Sequence, residues 1–186
     1  MAPIRPTSML RRAAILLLLA LAVPCAAQPR FGLSAEAFAV YQRWVLAMCL
    51  GTDERVMRAD LLRHATELAP AFRRAISEGP TAAEAQQVRA AAQALFDQRR
   101  TSPMNELDIT GVTRADLARF QRQTRESFAE DQVRRFVTGY RANAVAALGI
   151  VADAPSRALL ARIAANERDP LAPAAREALK VRRTPQ

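Results

Sequence analysis

Apolar residues recur at intervals of three and four along most of this chain, most densely between Thr113 and Leu148. Leu117, Phe120, Phe128, Val133, Phe136, Val137, Tyr140, Val145 and Leu148 would line one side of a helix turning every 3.6 residues. Neighbouring helices are expected to pack on that stretch. It is long for one helix, and Ser127 with Glu130 offers a capping pair, so a break near residue 127 is predicted, followed by a helix of about twenty residues.

The same spacing predicts the other elements. Ser34 caps a helix that faces inward with Phe38, Tyr41, Trp44, Val45 and Met48, and Gly51 ends it. A second helix starts at Thr52 or Asp53 and buries Met57, Leu61, Ala65 and Leu68; Pro70 should kink or split it, leaving a continuation with Phe72 and Ile76. Gly79-Pro80 breaks the pattern. Thr81 and Glu84 form a capping box for a helix carrying Val88, Ala92, Leu95 and Phe96 that frays near Arg100. Thr101 to Val112 reads as the longest connection, and Thr113 with Asp116 opens the central segment. Gly149 is expected to close that segment. Asp153 with Pro155 starts a helix facing inward with Leu159, Leu160 and Ile163, and Asp169-Pro170 starts the last one, with Leu171, Ala175 and Leu179. The fold class is therefore all-α, a single domain of about six to eight helices in a bundle or an irregular orthogonal array. The pair over 154–181 resembles a HEAT-type helical hairpin in length and spacing, but no repeat period runs upstream of it.

Composition sharpens this picture. Of 186 residues 51% are hydrophobic but only 5% aromatic, and alanine is abundant, which favours close helix contacts through small side chains. The first 27 residues stand apart. Arg11 and Arg12 precede the apolar run Ala13–Val23, and Cys25 and Ala27 are the small residues of a cleavage site, the pattern of a secretory signal peptide. Met9 is an alternative start to Met1. The apolar run has eleven residues, too few to span a hydrocarbon layer about 30 Å thick, so no transmembrane span is expected after cleavage. Residues 28–186 are then the helical domain. Removing the leader takes away three arginines and no acid, so the formal charge falls from +9 to +6. Cys49 remains alone, which excludes an internal disulfide, and its neighbours predict a buried thiol.

Candidate chemistry is sparse. Asp60, His64 and Glu67, offset by four and three, would share one side of a continuous helix; carboxylates and an imidazole so placed could hold a divalent metal or act as an acid–base set. His64 is the one histidine, no HExxH motif, Gly-x-Ser-x-Gly elbow or phosphate loop is present, and a solvated boundary histidine making local helix pairs is the favoured account of the trio. Tyr41 and Trp44 could offer part of a partner groove, although their helix spacing also fits the core. Arginine doublets at 73–74, 99–100, 134–135 and 182–183 could face an anionic lipid or an envelope polymer, or be solvated helix faces. No nucleic-acid signature accompanies them, and export argues against nucleic acid as a partner.

These features lead us to expect an exported, periplasmic or secreted, non-catalytic interaction or scaffolding protein of the bacterial cell envelope, with no cofactor and an envelope protein as partner. The competing readings are a metal-dependent or histidine-assisted envelope enzyme using Asp60, His64 and Glu67, and a peripheral binder of anionic surfaces.

Overall fold

The computed structural model describes residues 30–47, 54–101 and 114–181, and all of their regular structure is helical. The leader, Met48–Asp53 with Cys49 and Gly51, the 102–113 connection with the Thr113 cap, and the last arginine doublet lie outside the described residues. Contacts divide the chain after Gly32. In the first unit Arg30–Gly32 make a single 3-10 turn, with the Arg30 guanidinium 4.6 Å from the Phe31 ring centre.

From Leu33 onward the helices are α1 (Ala35–Val45), α2 (Glu54–Arg63), α3 (Ala65–Glu78), α4 (Ala82–Thr101), α5 (Arg114–Arg122), α6 (Arg125–Val151), α7 (Ala154–Ala165) and α8 (Ala172–Lys180). The chain is all-α and forms one helical domain around α6, which packs against α1, α2, α3, α4, α7 and α8. Among the described residues no helix is long and apolar enough to cross a membrane.

Local chemistry sets most boundaries. The Ser34 hydroxyl accepts the Ala37 amide at the start of α1. At α4 the Thr81 hydroxyl accepts the Glu84 amide, and the Glu84 carboxylate accepts both the amide and the hydroxyl of Thr81, the predicted box. The Asp153 carboxylate caps α7 through the Ser156 amide. Gly79 ends α3 at φ 72°, a backbone region where a side chain is strained.

Four boundaries differ from expectation. The break before the central helix falls at Gln123–Thr124, where Thr124 caps α6 and Ser127 is its reciprocal partner three residues in; α6 then runs for 27 residues. Two good capping side chains compete there, and the earlier one adds a turn. The second helix splits at His64 instead of Pro70. Pro70 sits in the second turn of α3, whose first turn is free to reorient because the chain has already bent upstream of the ring. Gly149 does not end its helix. It lies inside α6, and Ala152, in the left-handed conformation at φ 53°, is the cap. Finally, Asp169 does not cap α8: its carboxylate accepts the Leu171 amide in a turn, and α8 starts at Ala172 with Pro173 in the first turn.

Two apolar centres lie along α6. Near its start, Ala92 and Phe96 of α4 meet Phe128 and Ala129, joined by Leu95 and Phe120. The three rings sit 5.1 to 5.7 Å apart, and the Arg100 guanidinium lies over Phe96 and Phe120. The larger centre surrounds the second half of α6. Tyr140, Ala144, Val145, Ala147 and Leu148 are buried there with Trp44, Leu61, Leu68, Phe72, Leu160 and Ala175. Between these centres, from Glu130 to Gly139, no residue of α6 is buried.

Candidate functional site

Beside that half-covered stretch the surface opens into a groove of about 1310 Å³. Its walls come from α3, the middle of α6, and α7 with the turn that follows it. Ile76, Val137, Leu159, Ile163 and Leu171 supply apolar floor, with Pro70, Pro155 and Pro170 at the edges. Periodicity pointed Ile76, Leu159 and Ile163 inward. Ile163 is buried, but Ile76 and Leu159 stay half-buried because the groove passes beside them.

Four arginines and one acid, Asp169, also line the groove. Arg73 is built into the rim: it donates to Asp153 at 3.0 Å and to the fully buried Ser156 hydroxyl at 3.1 Å, joining α3 to the start of α7. Burial works against the Asp153 charge, yet the Ser156 hydroxyl and amide and the Arg73 guanidinium outweigh it and hold the carboxyl below its ordinary range. Arg74 pairs with Glu78 at 2.9 Å.

The other two cations are under-used. Among the described residues Arg141 makes one long hydrogen bond, 3.4 Å from Nη2 to the Ser77 carbonyl, and it lies against Gly79. Its Nε is shielded from solvent and has no acceptor among the described residues, a situation that costs about 1–3 kcal/mol in a folded protein. Arg162 is exposed and has no acceptor among the described residues. The groove therefore combines an apolar floor with unspent positive charge.

The residues singled out from sequence lie elsewhere. The break at His64 takes Asp60 and Glu67 onto different helices. Asp60 pairs with Arg43 at 3.3 Å and Arg63 at 3.1 Å. Glu67 accepts the amide and hydroxyl of Ser34, tying the start of α3 to the cap of α1. His64 precedes α3 and makes no side-chain cap bond there. Among the described residues no three His, Cys, Asp or Glu side chains converge as a metal site.

Tyr41 and Trp44 are core residues, 2% and 1% exposed. The Tyr41 hydroxyl meets that of Tyr140 at 2.5 Å. Trp44 Nε1 donates to the Asn143 carbonyl at 2.8 Å, while the Asn143 amide donates back to the carbonyls of Val45 and Ala47. Within the described doublets, Arg134 and Arg135 share Asp131, and Arg100 donates to the carbonyls of Gln121 and Gln123. Comparison with known protein families, with curated proteins and with solved structures finds no match.

Proposed function

We propose that this is an exported, non-catalytic interaction protein of the cell envelope that holds its partner in the groove between α3, α6 and α7. The groove itself carries the reading. It is open, apolar in its floor and cationic at its rim, and it exceeds the roughly 300–1,000 Å³ usual for small-molecule cavities. The carboxylates Asp60 and Glu67 are occupied by internal partners, which weighs against the acid–base alternative. Export rests on the Arg11–Ala27 pattern.

The test places a photoreactive residue in the groove. Ala158→benzoylphenylalanine, expressed in the source cells, is expected to cross-link a specific envelope protein, whereas the same residue at exposed Ala161, outside the groove on the same helix, is not. Equal adducts from both positions, or none from Ala158, would sink the reading. Recovery of unprocessed chain from the cytosol would sink the compartment.

A further inference from the structure

We infer that the occupant of this groove is an acidic amphipathic helix of a partner protein, with its carboxylates held by Arg141 and Arg162. The inference rests on the groove being the binding site and adds the chemistry of what binds. Three observations favour a helix. The walls are three helices and the turn after α7, and no strand edge is present among the described residues for an extended peptide to join. The α6 stretch from Glu130 to Gly139 buries no residue, although it carries Val133, Phe136 and Val137 at helix-packing intervals and Val137 opens into the groove. Among the described residues no helix fully covers α6 at this height. A helix also satisfies its own backbone, so the groove needs only an apolar floor and a polar rim, and these are what it has.

Charge gives the sign. Arg73 and Arg74 already have Asp153 and Glu78, so they add little net field. Among the described residues Arg141 and Arg162 have no carboxylate partner, and the one acid lining the groove, Asp169, accepts the Leu171 amide and offsets only one of these two charges, so the lining stays net positive. Guanidinium forks beside an apolar floor match glutamate or aspartate flanking an apolar stripe, and they repel a basic helix. An acyl chain fits less well. Along an open groove much of the chain would stay in water, whereas an amphipathic helix brings a polar outer face of its own.

The experiment uses the purified protein and three labelled peptides of about 18 residues, each with leucine at helix-face spacing and flanked by glutamate, glutamine or lysine. Anisotropy titrations are expected to show saturable binding of the glutamate peptide, weaker binding of the glutamine peptide, and none of the lysine peptide. Raising salt should weaken the first. Replacing both cations (Arg141→Gln with Arg162→Gln) should weaken it roughly 5- to 10-fold. Arg162→Gln alone, at an exposed position, gives the same direction if the pair disturbs folding. No binding of the glutamate peptide, equal binding of the glutamine or lysine peptide, or indifference to the arginine changes overturns the inference. So does arginine-dependent binding to phosphatidylglycerol vesicles without binding to the glutamate peptide. If the peptide fails while Ala158 still cross-links a partner, this inference falls and the interaction reading stands. If the cross-link also fails, both fall.

Discussion

Gly149 on α6 and Ala178 on α8 touch so closely that a Cβ at position 149 would stand 2.7 Å from the Ala178 carbonyl oxygen and 2.8 Å from its Cβ. The obstruction includes backbone, so neither helix can yield without moving as a whole. Gly149→Ala is therefore expected to destabilise by about 2–3 kcal/mol. Gly139→Ala is the control. It lies in the same helix with nothing within 4 Å of the added carbon, and should gain up to about 1 kcal/mol from helix propensity. Urea unfolding of the two variants checks both signs.

Asp153 links acidity to stability. Its carboxyl titrates below the ordinary 3.8, so folding favours the ionised form. That contribution is present above the unfolded value and is lost as pH falls through the lower folded one. Asp153→Asn keeps a capping oxygen but removes the charge facing Arg73. With the side chain 36% exposed, solvent screening limits the loss at neutral pH to about 1 kcal/mol. The gap between wild type and variant should close as the solution is taken below pH 3.8. A gap unchanged in acid would show that Arg73 does not act through this charge.

The buried contact between the Tyr41 and Tyr140 hydroxyls joins α1 to the long helix at 2.5 Å. A double-mutant cycle built from Tyr41→Phe and Tyr140→Phe should give a coupling of about 0.5–1.5 kcal/mol. Strict additivity would mean that the two oxygens are neighbours without bonding.

Metal provides a separate check on the catalytic alternative. Because Asp60 and Glu67 are held by Arg43, Arg63 and Ser34, zinc or magnesium added to chelator-treated protein should leave Tm unchanged. A rise that disappears in His64→Ala would return Asp60, His64 and Glu67 to candidacy.

What was legible beforehand had local causes. Thr81 and Glu84 solve their problem within one turn, so the capping box could be read directly. The inward faces of α1 and α4 followed from spacing. Gly149 could not be placed that way, because glycine serves equally as a stop or as a gap for a neighbour, and the neighbour, Ala178, is far off in sequence. Pro70 misled for a related reason: the fold bends at His64, where no residue type announces it. Tyr41 and Trp44 had the right residue types for an interface, but their partners Tyr140 and Asn143 come from a distant helix and draw them inside. The groove was hidden altogether. Its walls bring α3 beside α6 and α7, which lie far along the chain from it, and Leu159 is distinguished from Leu160 only by what the fold leaves uncovered beside it.

The spacing of the two apolar centres gives α6 a mechanical character. At 1.5 Å per residue its 27 residues make a beam about 40 Å long. Phe128 and Ala129 clamp one end, and the stretch from Tyr140 to Val151 clamps the other. Val137 and Thr138, which line the groove, fall in the unclamped span, towards its Tyr140 end. A load applied there bears on both supports, so a partner helix seated as proposed would brace the α4–α5 end and the α7–α8 end together.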